Sequence, residues 1–286
     1  MRLDDLFCNM RAGMIYESLD LQKLITEVGA KRLVEAMLDN IGNTNSLIRE
    51  NILGINYRLA VEGLLEHKDY IDILNTCLGM DYLFKNINDP DCDDAVFCRA
   101  YASLAIGWIV HADAKMEFLS ESQYKQALET TILYMMQETD RKGYVLGKGW
   151  VHAIAHGATM LREMINHPKF PMEYAEKILD CIKFHIASQH PFTDGEEHRF
   201  ASLVLILMDK GITEQQTKDW MGNLAPKIKA AHFTDEHASE IRLWRNVEYF
   251  LRSLVSVLAV DTRHDSLMRD TAQYVSKIWS IAQSND

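Results

Sequence analysis

The chain has 286 residues, of which 48% are hydrophobic and 25% are charged, ordinary proportions for a soluble globular protein. Its formal net charge is −11 at pH 7 and its pI is about 5.5, so its surface repels phosphate backbones and we expect no nucleic-acid partner. Only 5 prolines and 14 glycines occur, which favours long helices over a many-turned β sandwich.

Three features of the sequence favour a cytoplasmic protein. The 5 cysteines are scattered and form no CxxC pair, which indicates packed thiols and not a disulfide framework. The N-terminal stretch has acids at positions 4 and 5 and no apolar run of signal-peptide length. Apolar runs such as "YASLAIGWIV" are shorter than the roughly 18 residues of a membrane span. We therefore expect a cytoplasmic protein with no membrane partner.

Apolar residues recur at helical spacing in nearly every segment of the chain. Ser120 with Gln123, and Thr213 with Gln216, have the spacing of capping boxes at helix starts. Pro171 is suited to the first position of another helix. No segment shows a convincing period of two, as a strand would, so the predicted fold class is all-α.

Four apolar helices carry an arginine near their start, at Arg49, Arg99, Arg199 and Arg245. A fifth helix of the same kind begins near position 150, with "GWVHAIAHGATML". The period of about 50 residues, with further amphipathic helices between these five, is close to that of HEAT and armadillo units. The sequence therefore predicts a HEAT/armadillo-like α-α superhelix of about five helix pairs, forming a single domain over residues 1–286. The acidic stretch at 88–94 is interpreted as an exposed loop between repeats.

The arginines allow two interpretations. A buried arginine at a helix start can tie neighbouring repeats together by bidentate hydrogen bonds to carboxylates or carbonyls. Alternatively, Arg99 and Arg199 lie on either side of the central loop, line a concave face and bind a carboxylate or phosphate group.

The stretch "DRKGYVLGKGWVHAIAHG", residues 140–157, interrupts the repeat at its middle. Its three loop glycines permit backbone conformations closed to other residues. Tyr144 and Trp150 offer broad surfaces for stacking, and Lys148 supplies a mobile positive charge. Loops of this kind on rigid scaffolds often carry function. The alternative is a structural turn in which Trp150 fills the core.

Two histidines, His152 and His156, stand four positions apart, so that a helix would place both imidazoles on one side. This spacing permits a shared metal ion, but position 153 is alanine where the metalloprotease motif has glutamate. A third ligand would be one of Asp140, Glu196, Glu197 and His198. Otherwise each ring bonds a carbonyl or carboxylate at a repeat junction. We expect no bound metal and no cofactor, with these two histidines as the candidate ligands should a metal bind.

Several strings of the chain resemble a bacterial family known only as domain of unknown function 2785: "VFCRAYASL", "ETDRKGYVLGKGWVHAIAHGA", "EEHRFASL" and "RNVEYFLRSL". The resemblance implies an all-helical, HEAT-like, cytosolic bacterial protein, and it assigns no activity and no catalytic residue. One position departs from the family pattern, because Thr159 stands where a carboxylate is expected after "HGA".

These observations predict a binding or scaffold protein with a groove centred on residues 140–157, which holds a peptide, a partner protein or a small anionic ligand. The candidate groove residues are Arg99, Asp140, Arg141, Tyr144, Lys148, Trp150, His152, His156, Glu197 and Arg199. The alternative is a hydrolase, with or without a metal, in which His152 and His156 exchange protons with Asp140 or Glu197. The sequence specifies neither catalytic residues nor an oligomeric state.

Overall fold

The computed structural model describes residues 19–224 and 238–283, the side chains of the latter range from 242 to 276. The all-α fold class is confirmed, because these ranges contain twelve α-helices and a single two-stranded hairpin. In chain order the helices are α1 Leu21–Val28, α2 Ala30–Asn40, α3 Ser46–Glu62, α4 His67–Cys77, α5 Ala95–Met116, α6 Glu121–Met135, α7 Ala153–Asn166, α8 Ala175–Ile186, α9 Glu196–Lys210, α10 Glu214–Gly222, α11 Ala238–Leu258 and α12 Asp265–Gln283.

Both predicted capping boxes are present. Before α6, the Ser120 hydroxyl accepts the Gln123 N–H at 3.2 Å, and the Ser120 N–H donates to the Gln123 side chain at 2.9 Å. Thr213 and Gln216 make the same reciprocal pair before α10. Pro171 stands one short 3₁₀ turn before α8 and not at its first position. Local polar signals therefore place these helix starts to within a few residues.

The hairpin lies inside the stretch that interrupts the helical repeat. Its strands are β1 Tyr144–Val145 and β2 Gly149–Trp150, which pair antiparallel. A strand of two residues is too short to show alternation between apolar and polar side chains. The expectation that the chain has no strand is therefore wrong at this one place among the described residues.

The chain divides into two compact units between Lys169 and Phe170. In the first unit, α5 packs between α3 and α7, while α4 and α6 lie against these longer helices. In the second unit, α9 packs on α11, and α11 packs on α12. The five long helices of the predicted series are α3, α5, α7, α9 and α11, each followed by a further helix. A single domain over residues 1–286 stays a prediction.

Helix α5 is the centre of the first unit. Sixteen of its 22 residues are buried, so it is covered by other parts of the protein on most of its circumference. Within the described ranges it is the one helix with the length and mean hydropathy, 1.4, of a membrane span. Because 83% of that apolar window is buried against other parts of the unit, α5 has the pattern of a core helix in a globular protein.

Small residues let α7 approach its neighbours closely. A Cβ added to Gly107 of α5 would lie 3.2 Å from the Met160 Cα of α7. A Cβ added to Gly157 of α7 would lie 2.3 Å from the Met135 Sδ of α6. An alanine at either position would therefore require a shift of its neighbour in the packing around the segment that follows the hairpin.

A buried carboxylate, Asp113, joins the C-terminal ends of α5 and α7 to the start of α6. It accepts hydrogen bonds from His167 Nε2 at 2.9 Å and from the Leu119 N–H at 2.6 Å. His167 Nδ1 accepts the Lys169 N–H at 3.1 Å, so the imidazole proton resides on Nε2. Burial raises the pKa of Asp113, but the hydrogen bonds from His167 and Leu119 and the charge of Lys169 outweigh it and leave the pKa below its usual value.

We expect Asp113→Asn to lower the free energy of unfolding at pH 7 by about 1–3 kcal/mol, since the buried donors lose a charged acceptor. Because folding depresses the pKa of Asp113, its contribution is complete above the unfolded value of about 3.9 and is lost as pH falls through the folded value. Urea unfolding between pH 7 and pH 2 should therefore show that the free energy of unfolding decreases less with falling pH in the variant than in the original chain.

The control is Asp72→Asn, which changes an exposed carboxylate on α4 of the same unit. Its free energy of unfolding should decrease with falling pH as much as that of the original chain. Equal stability of the Asp113 and Asp72 variants at pH 7 would contradict a structural role for the Asp113 network.

Candidate functional site

The hairpin is built by its glycines and by a tight turn. Tyr144 pairs with Trp150 and Val145 pairs with Gly149, leaving Leu146 to Lys148 at the tip. Gly147 and Gly149 have φ values of 80° and 82°, in the left-handed region that favours glycine. The sequence correctly indicated that this loop needs backbone conformations closed to other residues.

Arg49, at the start of α3, anchors the hairpin. Its guanidinium is fully buried and donates to the Asn43 carbonyl at 2.6 Å, to the Lys148 carbonyl at 2.7 Å and to the Trp150 carbonyl at 3.1 Å. It also lies over the rings of Phe97 and Tyr101 of α5, at 4.2 and 4.7 Å from their centroids. This one side chain therefore connects α3, α5 and the β2 side of the hairpin.

The ring of Tyr101 extends this anchor towards the histidines. Its hydroxyl donates a hydrogen bond to the carboxylate of Glu50, the residue after Arg49. Burial raises the pKa of Tyr101 well above its usual value, and the charge of Glu50 adds to the effect. His156 stands edge-to-face on Tyr101 at 5.3 Å, and its Nδ1 lies 3.3 Å from the Ala100 carbonyl.

Aromatic rings continue from the hairpin to α7. Tyr144 and Trp150 are 5.1 Å apart between centroids, Trp150 and His152 are 4.4 Å apart, and His152 and His156 are 5.7 Å apart. Tyr144 is 60% exposed, Trp150 is 44% exposed and Leu146, at the tip, is 92% exposed. We call the side chains of Tyr144, Leu146 and Trp150 the hairpin surface. The purely structural interpretation required Trp150 to fill the core, and its exposure shows that it does not.

The two histidines do not share a helix. Helix α7 begins at Ala153, and His152 precedes it with φ 55° and ψ 34°, a left-handed conformation that is uncommon for a residue with a side chain. The assumption that both rings project from one helical face is therefore wrong, although the rings do lie near each other. Among the described residues, no group of three or more His, Cys, Asp and Glu side chains is placed to hold a metal ion.

The lysines of the loop bind the acidic stretch at 88–94. Lys148 Nζ lies 2.6 and 2.7 Å from the two carboxylate oxygens of Asp94. Lys142 Nζ lies 2.6 Å from Asp93 and 2.5 Å from Asp140. The ammonium group of Lys148 is thus bound to a carboxylate, and the expectation of a mobile charge is wrong. The acidic stretch supplies the carboxylates that pair with the lysines of this loop.

Arg99 has the structural contacts of the first interpretation. It is 4% exposed, its Nε and Nη2 donate to the Glu138 carboxylate at 2.6 and 3.1 Å, and its Nη1 donates to the Lys85 carbonyl at 3.0 Å. Burial lowers the pKa of Arg99, but the hydrogen bonds and charge of Glu138 outweigh it and raise the pKa above its usual value. An anion at Arg99 would have to compete with a bidentate carboxylate.

Eight of the ten candidate residues lie in the first unit: Arg99, Asp140, Arg141, Tyr144, Lys148, Trp150, His152 and His156. Glu197 and Arg199 lie on α9 in the second unit, the former half-buried and the latter exposed. Arg141 is half-buried between the paired residues Asp140 and Lys142.

Two residues of the hairpin's support and one of its surface were not predicted from the sequence. Arg49 belonged to the arginine series but was not connected to the loop, because about 100 positions separate the two and no local pattern records such a contact. Glu50 has no signal of its own. Leu146 did have a signal in the sequence. It is an apolar residue directly before a glycine in a tight turn, and turns lie at the surface, so its side chain could be expected to be exposed.

A family model described as Protein of unknown function (DUF2785) matches residues 83–255, more than half of the chain. The chain belongs to this family. The resemblance seen in the sequence strings is thereby confirmed. The DUF2785 match contains the whole hairpin and both histidines, and it begins beyond Arg49. No curated protein and no solved structure matches the chain.

Two glycine substitutions test how the hairpin is anchored. A Cβ at Gly149 would lie 2.7 Å from the Ser46 Cβ and 3.4 Å from Arg49 Nη2, whereas a Cβ at Gly147 would meet nothing within 4 Å. Both variants carry the strain of a left-handed alanine, about 1 kcal/mol. We expect Gly149→Ala to cost about 1–3 kcal/mol more, because it also overpacks the contact with α3.

Chemical unfolding of both variants, with hydrogen exchange of residues 143–151, measures the difference. Exchange should rise across the hairpin in Gly149→Ala and much less in Gly147→Ala. Equal losses of stability and equal exchange in the two variants would show that the Ser46 and Arg49 contacts do not hold the hairpin.

Proposed function

We propose that this chain is a non-enzymatic binding or scaffold protein that recognises a peptide segment of a partner through the hairpin surface. The observation that carries the proposal is the 92% exposure of Leu146 at the tip of a hairpin anchored by a buried arginine. Large apolar side chains that are held out in solvent next to tyrosine and tryptophan are typical of protein-binding surfaces.

Pre-organisation supports this proposal. A free loop that binds a partner must lose conformational freedom at that moment, which weakens binding. Here the carbonyls of Lys148 and Trp150 are already bound by Arg49, and the Lys148 side chain is bound by Asp94. The hairpin therefore presents its apolar side chains without that cost.

The charges around the hairpin favour an apolar peptide over a small anion. Lys148 is paired with Asp94, and Lys142 is paired with Asp93 and Asp140. These cations are compensated, so an anionic ligand would have to displace a carboxylate from each of them. Exposed apolar area is what the loop has left to offer a partner.

We also propose the HEAT-like superhelix and the cytoplasmic location as the setting of this surface. Five long helices follow one another at about 50 residues, and α3, α5 and α7 pack side by side in the first unit. Such stacking is the arrangement by which repeat proteins build extended binding faces.

The hydrolase alternative stays a prediction, and no contact within residues 19–224 and 242–276 specifically favours it. The carboxylate of Asp140 is bound by Lys142 Nζ and by the Lys142 N–H at 2.9 Å. Glu197, the other proposed acid, belongs to the second unit.

The test is a selection of phage-displayed peptides on the immobilised full chain, followed by fluorescence anisotropy of the enriched peptides. We expect the double variant Tyr144→Ser/Leu146→Ser to bind them at least about 10-fold more weakly, since anchor residues of an interface carry most of its binding energy. Both side chains are exposed, so the fold should be retained, as circular dichroism can verify.

The matched control is Met80→Ser, which removes an apolar side chain that is 72% exposed elsewhere in the same unit. It should bind the selected peptides like the original chain. Peptides that bind the hairpin variant and the original chain equally well would refute the hairpin surface as the recognition site.

A further inference from the structure

A groove of about 760 Å³ lies within the second unit, between the face of α8 with its preceding turn and the face of α10 with the turn before it. Its volume is in the range of small-molecule sites, about 300–1,000 Å³. The residues that line it include four acids, Glu173, Glu176, Asp180 and Asp219, and no basic side chain.

The floor and one wall of the groove are apolar. Ala175, Leu179 and Ile212 are buried beneath it, at 3%, 6% and 8% exposure. Trp220 forms part of the wall and packs edge-to-face on Phe250 at 5.8 Å. The indole Nε1 of Trp220 is buried and has no hydrogen-bond partner among the described residues.

Two lysines that are close in sequence to Glu176 and Asp219 have other contacts. Lys177 lies over the ring of Tyr174 at 4.6 Å, and Lys218 Nζ is paired with Asp270 at 2.6 Å. Within the described part of the chain, the side chains of Glu176 and Asp180 make no hydrogen bond or ion pair. Uncompensated carboxylates around an apolar floor attract a cation that also carries apolar surface.

Spacing narrows the class of cation. Glu176 and Asp180 stand four positions apart on α8, which separates their Cβ atoms by about 6 Å on one helical face. Asp219 lines the groove from α10, opposite them. A linear polyamine carries ammonium groups separated by three or four methylenes, so its charges match the carboxylates while its methylenes cover the apolar floor.

We propose that this groove is a binding site for linear aliphatic polyamines. The ammonium groups pair with Glu176, Asp180 and Asp219, and the chain between them packs on Leu179 and the indole face of Trp220. A cation over a tryptophan face is the most favourable of the aromatic pairings. The site is independent of the hairpin surface, so either proposal can fail without the other.

Isothermal titration of the full chain with spermidine at low ionic strength tests the proposal. We expect saturable binding of one spermidine, at least about 10-fold tighter than that of n-butylamine, which carries a single charge. The double variant Glu176→Gln/Asp180→Asn should bind spermidine at least about 10-fold more weakly. The control Asp69→Asn/Asp72→Asn removes two carboxylates one turn apart on α4 and should change the affinity less than about 2-fold.

Two aromatic variants test the wall. Trp220→Leu should weaken spermidine about 3- to 30-fold, and Trp220→Phe should restore part of the loss, since it keeps a ring face. The phenylalanine variant also covers the case in which the leucine variant fails to fold. No saturable binding, equal binding by the Glu176/Asp180 and Asp69/Asp72 variants, or displacement of spermidine by Mg²⁺ at equal charge concentration would overturn the proposal.

Discussion

The buried guanidinium of Arg49 is the interaction on which the presentation of the hairpin depends. Its Nη1 donates to the carbonyl of Asn43 and its Nη2 to those of Lys148 and Trp150, and two aromatic rings cover its faces. A buried charge without partners is costly, and so are buried carbonyls without donors. Removal of the hairpin from this contact would therefore leave the buried Arg49 charge without two of its three carbonyl acceptors. Lysine cannot replace the arginine, because an ammonium lacks the planar fork that reaches several acceptors at once.

The helical framework was largely predictable because its determinants are local. Apolar spacing and the capping boxes at Ser120 and Thr213 act within a few residues of the element they specify. The arginine series is less regular than expected, because Arg245 is the eighth residue of α11 and does not stand near its start. The arginine series also predicted the kind of contact that Arg49 and Arg99 make, with carbonyls and with a carboxylate. The type of contact was therefore predicted correctly, although the partner residues could not be identified from the sequence.

The site itself was predictable only in part. The loop glycines indicated an unusual backbone, and Gly147 and Gly149 have one. The histidine pair was misjudged, because the helix begins at Ala153 and leaves His152 in a left-handed turn. The apolar spacing alone could not reveal this boundary, since His152 follows two residues after the end of strand β2 and its backbone links the hairpin to the helix. Contacts over many positions, such as Lys148 with Asp94, leave no mark in a single sequence.

What each surface can bind follows from what its own contacts leave unsatisfied. At the hairpin Lys148 and Lys142 are paired with carboxylates of the same chain, and the apolar side chains remain exposed. In the second-unit groove Lys177 and Lys218 have other contacts, and the carboxylates of Glu176 and Asp180 remain above an apolar floor. The net charge of −11 is a sum over the whole chain, so it predicts neither the paired lysines at the hairpin nor the carboxylates of the groove. The pairing of individual side chains, and not the total, decides which ligand chemistry is left to a partner.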